Sequence, residues 1–224
     1  MIKLVIFDVD GTLVDSESIY VKAALKNLEV NHYNIPMSAI MGIIGQNKAA
    51  GQRLIESTQD DSFNYDEYLK DFRKIRDEFL EKEPYKLKKG AINILNYCKE
   101  HDIKMAIATS TARDKQTKVL TQLGIIDYFD YMVFGDEIKN SKPAPDIYLK
   151  VYEHYKNLDK DEMIIYEDSN NGILSGYNAG IKVVYIKDIV DVKEDTLALC
   201  YKEVKDLDEG IEILKWTPNL LHIA

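Results

Sequence analysis

Two aspartates near the N-terminus are the residues whose type and spacing most clearly indicate chemistry. Asp8 and Asp10 follow the apolar run 4–7, and Gly11 comes directly after them. A short, unbroken apolar run predicts a buried parallel strand, and open α/β sheets bind their ligands at the C-terminal ends of such strands. Because residues two apart in an extended chain point the same way, the two carboxylates converge on one small volume. Their repulsion must be relieved by a hard cation, by a proton or by both.

Polar side chains also follow three later apolar runs, namely Thr109 and Ser110, then Lys142, then Glu167 and Asp168. Each has an ordinary alternative explanation, as a helix cap, a solvated lysine before a proline or the acidic start of a loop. The ends of parallel strands share one edge of a sheet, however, so these residues would gather in one crevice with the two aspartates. Their joint occurrence at one edge favours a site of chemistry over the separate explanations.

The elements that position these residues are predicted from hydrophobic periodicity. From residue 90 onward, strands alternate with helices, and the strands are predicted at 103–110, 131–136, 163–168, 182–186 and, as an additional edge strand, 197–201. This alternation predicts an α/β fold, a Rossmann-like doubly wound parallel sheet. Gly172, Gly176 and Gly180 are spaced by four along one predicted helix, which favours close helix packing and a C-terminal cap over a phosphate-binding loop.

A helical insertion separates the first strand from the rest of the sheet. Helices are predicted at 19–30, 36–42, 47–57 and 66–82, and no convincing strand lies between them. Pro84 ends this pattern and returns the chain to the sheet through a second linker, paired with one near Val14. We therefore predict a core of residues 1–14 and 87–224, and an all-helical cap of residues 15–86 that two chain crossings allow to hinge.

The composition is that of an ordinary globular protein, and it limits the partners. The 224 residues carry a formal net charge of −9, with a pI near 5.0, so the summed field repels nucleic acids and anionic membranes. A phosphate site must therefore be locally positive. No apolar run approaches the ~20 residues of a membrane span and no secretory pattern is present, so we expect a cytoplasmic protein. Cys98 and Cys200 have no metal-binding or redox spacing and are expected to be reduced.

The phrase Asp8-Val9-Asp10-Gly11-Thr12 resembles the first signature motif of the haloacid dehalogenase superfamily, in its branch of phosphatases with an aspartate nucleophile. The later strand ends resemble the other three motifs in the same order, including the Lys-Pro and Glu-Asp-Ser phrasing. The resemblance implies that Asp8 forms an aspartyl-phosphate and that Asp10 is the general acid and base. The remaining catalytic and phosphate-binding residues that it implies are Thr109, Ser110 and Lys142.

The same resemblance implies Mg²⁺ as the cofactor. The carboxylates of Asp8 and Asp168 and the backbone carbonyl of Asp10 would bind the ion, because Mg²⁺ prefers hard oxygen ligands. Glu167 is either a further ligand or an outer partner, and the sequence leaves both roles open.

The insertion resembles the helical cap of the β-phosphoglucomutase and phosphoglycolate phosphatase group, in which the cap would select the substrate. The mutases usually carry histidine where this chain has Tyr20, itself a candidate substrate contact, and arginine where it has Gly45. These departures favour a phosphatase of a small phosphorylated metabolite over a β-phosphoglucomutase-type mutase, for which Lys48 or Arg53 would have to supply the missing charge. A non-catalytic protein that binds a phosphorylated ligand is the alternative from another class. We expect a monomer or weak dimer.

Overall fold

A parallel β-sheet organises the protein, whose computed structural model describes residues 1–44 and 48–215. The six strands in this part of the chain are β1 (Leu4–Phe7), β2 (Lys104–Ala108), β3 (Tyr131–Val133), β4 (Met163–Glu167), β5 (Lys182–Ile186) and β6 (Lys202–Val204). They run in the order β3-β2-β1-β4-β5-β6, and every neighbouring pair is parallel. β1 and β4 are neighbours where the strand order reverses, which is where open α/β sheets form their ligand crevice. The predicted Rossmann-like fold is confirmed.

Helices cover both faces of the sheet and bury the central strands on both sides. Those that follow the insertion are α5 (Ala91–Glu100), α6 (Arg113–Gln122), α7 (Asp146–His154), α8 (Asn170–Asn178), α9 (Glu194–Leu197) and α10 (Leu207–Lys215). Along β1, Val5 and Phe7 belong to the cluster with α5, α6 and α10, whereas Leu4 and Ile6 belong to the cluster with α7 and α8. Successive side chains of a strand point to opposite faces, so a strand covered on both sides is apolar at every position.

The inserted segment is helical, as predicted. Its helices are α1 (Glu17–Asn31), α2 (Met37–Gly42), α3 (Lys48–Glu56) and α4 (Tyr65–Lys82). They enclose a hydrophobic cluster of their own, with Ile55 and Phe72 among its buried members. The Asn64 side chain caps α4 by accepting hydrogen bonds from two backbone N–H groups of its first turn. None of the helices described combines the length and apolar character that crossing a bilayer requires.

The two linkers between the sheet and the inserted helices lie side by side. Val14 forms an antiparallel bridge with Leu87. The N–H of Asp15 donates to the carbonyl of Lys86 at 2.9 Å, and the N–H of Lys88 donates to the carbonyl of Leu13 at the same distance. Backbone hydrogen bonds therefore join the two linkers where the inserted segment begins and ends, which is called its root below.

The edge of the sheet differs from the prediction. Residues 197–201 form no strand, because α9 ends at Leu197 and the edge strand is β6. Glu194 and Asp195 occupy the first turn of α9, where carboxylates stabilise a helix. The apolar run supplies the last residue of this helix, Leu197, and the turn at residues 198 and 199 that follows it. In β6 only Val204 is buried, as expected for an edge strand, so hydrophobicity does not mark it in the sequence.

β3 ends at Val133, earlier than predicted, because a 3₁₀ turn occupies Gly135–Glu137.

The glycines spaced by four along and just after α8 have the predicted roles. A Cβ at Gly176 would lie 2.5 Å from a methyl group of Val183, so the helix packs tightly on the sheet. Gly180 has a φ of +72°, as expected for a residue that ends a helix.

Candidate active site

A cavity of about 720 Å³ lies over the C-terminal edge of the sheet. The sequence-predicted residues that line it are Asp8, Asp10, Tyr20, Thr109, Ser110, Lys142, Glu167 and Asp168. The sheet thus brings together the strand ends on both sides of the switch point. Residues of α1, α4 and the second linker complete the wall, so the cavity lies between the sheet and the inserted helices.

Lys142 lies at the centre of the polar contacts on the floor of this cavity. Its ammonium donates to Asp8 Oδ1 at 2.5 Å, to Glu167 Oε1 at 2.6 Å and to the carbonyl of Ala108 at 3.1 Å. Only 5% of its side chain is exposed. The Tyr148 ring lies 5.0 Å from the ammonium, close enough for a cation–π contact. Because a buried charge is costly without partners, these contacts fix where Lys142 lies.

The pKa values of Asp8, Lys142 and Asp168 depend on burial and on the neighbouring charges. Burial raises the pKa of Asp8 to about 7, although the ammonium of Lys142 opposes the rise. Burial also works against the charge of Lys142, but Asp8 and Glu167 raise the pKa of this lysine well above its usual value. Burial, followed by the charges of Glu167 and Asp8, raises the pKa of Asp168 as well. The site therefore holds a permanent cation and a surplus of carboxylates.

Glu167 is held on both of its oxygens. Oε1 accepts from Lys142 and, at 3.2 Å, from the Tyr148 hydroxyl. Oε2 accepts from the backbone N–H groups of Asp168 and Ser169, each at 2.9 Å. A Cβ at Gly172 would lie within 2.2 Å of this carboxylate, so the first turn of α8 packs directly on it. Glu167 thus contacts both Lys142 and the loop after β4.

Two threonine hydroxyls orient the acidic residues, and sequence reasoning did not assign them these roles. Thr12 Oγ1 donates to Asp168 Oδ1 at 2.6 Å, and Thr111 Oγ1 donates to Asp10 Oδ2 at 2.8 Å. The Thr109 hydroxyl is buried and accepts from the N–H of Thr111 at 3.1 Å. Thr111 follows Thr109 by two positions, as Asp10 follows Asp8, and this parallel spacing is the signal that could have identified it.

The inserted helices contribute an ion pair to the cavity wall. Arg76 of α4 lines the cavity, and its Nε and Nη2 donate to Asp77 Oδ1 at 2.9 and 2.6 Å. Burial and then Asp10 raise the pKa of Tyr85, whereas Arg76 lowers it, so this tyrosine lies within electrostatic reach of both. The Tyr20 ring packs 4.7 Å from that of Phe72. Tyr20 thus presents only part of its surface to the cavity.

The other cap residues singled out in the sequence lie elsewhere. Arg53 is exposed on α3 and is not among the described residues that line the cavity. Gly45 and the side chain of Lys48 lie outside the described residues. Arg76 is therefore the cap cation that the described cavity wall provides. The sequence showed it only as one of several charges on a long amphipathic helix.

The carboxylates at this edge suit a hard divalent cation. Glu17, Asp168 and Asp188 each offer an oxygen within 4.8 Å of the others. Buried oxygens of Glu17 and Asp188 have no hydrogen-bond partner among the described residues. A set made only of hard oxygen donors fits Mg²⁺ or Ca²⁺. Sequence reasoning missed Glu17 and Asp188, although Asp188 follows β5 and so obeys the same rule of strand ends as the residues that it found.

The protein is thus an open parallel α/β protein. Acidic and cationic residues at the strand ends surround a cavity at its switch point. The chain belongs to the haloacid dehalogenase-like hydrolases, since the family model of that description matches residues 5–186. The resemblance noted in the sequence is thereby confirmed at the level of the family, and the protein is a hydrolase of this family.

Known proteins similar to this chain include phosphatases and a mutase-like structure. A phosphorylated carbohydrates phosphatase of Thermotoga maritima is 32% identical over 187 residues, covering 81% of this chain and 83% of the relative. A (DL)-glycerol-3-phosphatase of Arabidopsis thaliana is 29% identical, with coverage of 82% and 79%. A Thermotoga maritima crystal structure provisionally described as a β-phosphoglucomutase superposes with a TM-score of 0.77 at 28% identity, covering 96% of this chain and 99% of the other.

The geometry of Lys142 yields a prediction about stability. Lys142→Met should lower the free energy of unfolding by about 3–5 kcal/mol, because it leaves buried carboxylates without their cation. The control is Lys104→Met, which removes an ammonium 2.8 Å from Asp130 in an exposed pair and should cost ~1 kcal/mol or less. Chemical denaturation at neutral pH measures both changes. A loss for Lys142→Met no larger than that of the control would contradict the importance of the buried cation.

Proposed function

We propose that the protein is a Mg²⁺-dependent phosphatase that hydrolyses a small phosphorylated carbohydrate or similar metabolite through an aspartyl-phosphate on Asp8. The observation that carries the proposal is the contact between Asp8 and the buried ammonium of Lys142, on the floor of a cavity that Asp10 also lines. A carboxylate held in place beside a fixed cation is suited to attack a phosphoryl group. The family membership and the phosphatase relatives support the same reaction.

The reaction would proceed in two displacements at phosphorus. In the first, an oxygen of Asp8 bonds to phosphorus while the bond to the leaving oxygen breaks, and Asp10 gives its proton to that oxygen. In the second, Asp10 takes a proton from water as the water attacks phosphorus and releases phosphate from Asp8. The Thr111 hydroxyl orients Asp10 for both transfers. Lys142 and Thr109 would neutralise and bind the phosphoryl oxygens.

A divalent cation would be held by the carboxylates of Asp8 and Asp168 and the backbone carbonyl of Asp10. When bound, Mg²⁺ supplies positive charge to the phosphoryl oxygens in an acidic protein. Thr12 positions Asp168 for this role by donating to its Oδ1 at 2.6 Å. Glu167 would act as the partner that holds Lys142, since both of its oxygens already accept hydrogen bonds.

The inserted helices α1–α4 would form a cap that selects the substrate, with the sheet and its remaining helices as the catalytic core. The Arg76–Asp77 pair offers donors and an acceptor close together while its charges largely cancel. Such a pair suits the hydroxyl groups of a sugar or polyol better than a second phosphate, which requires a surplus of positive charge. On the side of the inserted helices, this argument favours the phosphatase; Lys115 and Lys118 line the cavity from α6. A mutase is the second candidate, because the structurally similar Thermotoga maritima protein is provisionally described as one.

The proposed nucleophile is tested by Asp8→Asn. This change keeps the shape of the side chain but removes the nucleophile and a metal charge, so phosphate release from sugar phosphates should fall by at least ~10³. Asp127→Asn, the same change at an exposed position, is the control and should leave the rate unchanged. Near-normal turnover by purified Asp8→Asn would rule out the aspartyl-phosphate.

The same assay separates the two candidate functions. With β-glucose 1-phosphate and a trace of the bisphosphate as substrate, the wild-type protein should release inorganic phosphate as its main product. If glucose 6-phosphate formed tens of times faster than phosphate, the protein would be a mutase. If neither product formed from any sugar or polyol phosphate with Mg²⁺ present, the non-catalytic alternative would be favoured.

The role of the cap pair is tested by Arg76→Leu. Losing hydrogen bonds from a charged donor should lower kcat/KM for sugar phosphates by about 10–100-fold. An aryl phosphate without hydroxyl groups should be hydrolysed almost normally. Arg73→Leu, three residues earlier on the exposed side of α4, is the matched control and should change neither value. An equal loss for the sugar phosphate and the aryl phosphate would contradict a role in sugar recognition.

A further inference from the structure

Three carboxylates converge at the root of the inserted helices, outside the contacts of Lys142. Glu17 is in the first turn of α1, Asp168 follows β4 and Asp188 follows β5. One oxygen of each lies within 4.8 Å of the others. The residue Glu17 is 9% exposed and the Asp188 side chain 6%, so both are largely withdrawn from water. The cluster thus joins the inserted segment to two neighbouring strands of the sheet.

The buried oxygens of this cluster lack donors. Glu17 Oε2 and Asp188 Oδ2 receive no hydrogen bond from an N–H or hydroxyl group of any described residue. The two carboxyl groups lie within hydrogen-bonding reach of each other, so a proton on one of them would link them. The cation that contacts the cluster, Lys88, is bonded to the other oxygen of Asp188. One ammonium offsets the charge of only one of the three carboxylates. An unpaired buried acceptor costs free energy of folding. A proton or a bound cation would remove this cost at the oxygens of Glu17 and Asp188.

The position of these oxygens relates them to the proposed metal site. A Cβ at Gly11 would lie 2.2 Å from Asp168 Oδ2 and 3.0 Å from Asp188 Oδ2, so both oxygens flank the backbone directly after Asp10. The carbonyl of Asp10 and the carboxylate of Asp168 are two of the proposed Mg²⁺ ligands. A crevice of about 20 Å³, room for about one water molecule, lies on the side of the cluster where Glu17 and Asp168 face the start of α8.

We propose that Glu17 and Asp188 form an outer acidic layer of the Mg²⁺ site, accepting hydrogen bonds from water that the ion retains, and that Glu17 thereby ties metal binding to the root of the cap. The inference rests on the proposed function, because it places Mg²⁺ at Asp168. Mg²⁺ loses its waters reluctantly and is usually bound by only one or two carboxylates, so its remaining waters need acceptors. The unpartnered oxygens of Glu17 and Asp188 would meet that need.

Calorimetric titration of the full chain with Mg²⁺ tests this layer without measuring activity. Glu17→Gln and Asp188→Asn should each raise the Kd for Mg²⁺ by about 10–100-fold, the effect typical of outer partners of metal ligands. Glu29→Gln is the control, an exposed glutamate on the same helix, and should leave the Kd unchanged. Circular dichroism establishes that each variant is folded. A Kd within about twofold of wild type in both cluster variants would overturn the proposal, and would favour a proton shared between Glu17 and Asp188.

Asp168→Asn separates this inference from the function on which it rests. If the wild-type protein bound no Mg²⁺, or if Asp168→Asn bound it as tightly as wild type, the metal part of the proposed function would fail. If Asp168→Asn weakened binding while Glu17→Gln and Asp188→Asn did not, only the outer layer would fail.

Hydrogen exchange tests the connection to the cap. In the wild-type protein, saturating Mg²⁺ should slow amide exchange in the first turns of α1, because the ion holds Glu17 through its waters. In Glu17→Gln the same addition should leave exchange in these turns unchanged. Equal exchange with and without Mg²⁺ in the wild-type protein would overturn the connection between metal binding and the cap.

Discussion

The burial of one ammonium group among carboxylates is the constraint on which this structure depends. Lys142 Nζ contacts Asp8 after β1, the carbonyl of Ala108 in β2 and Glu167 at the end of β4. Lys142 itself lies in the long connection between β3 and α7. β1 lies between β2 and β4 and runs parallel to both, which brings these three contacts to one edge of the sheet. The sheet order and the site are therefore two descriptions of the same arrangement.

The site contains more acidic groups than cations. Lys142 neutralises part of the charge of Asp8 and Glu167, and Lys88 part of that of Asp188. Asp168 is bonded to a neutral hydroxyl, and Glu17 has a buried oxygen without a donor. Such a surplus destabilises the isolated fold, but it prepares the edge of the sheet for a divalent cation. We regard this surplus as the physical basis of the proposed Mg²⁺ dependence.

The sequence predicted those parts of the molecule that follow from strand topology alone. Asp8 and Asp168 could be placed together because parallel strands end on one edge. Lys142 was added to them by the order of the motifs and the Lys-Pro phrasing of the resemblance. Contacts that depend on the register of a helix or the course of a loop could not be predicted. Arg76 was one charge among many on α4, and nothing local showed that it faces the cavity. The edge strand was misplaced because an edge strand exposes one face, whereas a short apolar run also suits the end of a helix.

The most direct test of the central claim is to detect the phosphoryl group on Asp8. Asp10→Asn should slow hydrolysis of the aspartyl-phosphate, while an aryl phosphate, with its good leaving group, still permits its formation. Acid quenching during a single turnover with Mg²⁺, followed by peptide mass spectrometry, would then show one phosphoryl group on the peptide that contains Asp8. The account predicts this adduct in Asp10→Asn and its absence when Asp8 is also changed to Asn. Release of phosphate at the full single-turnover rate by the doubly changed protein, with no adduct at any time, would contradict it.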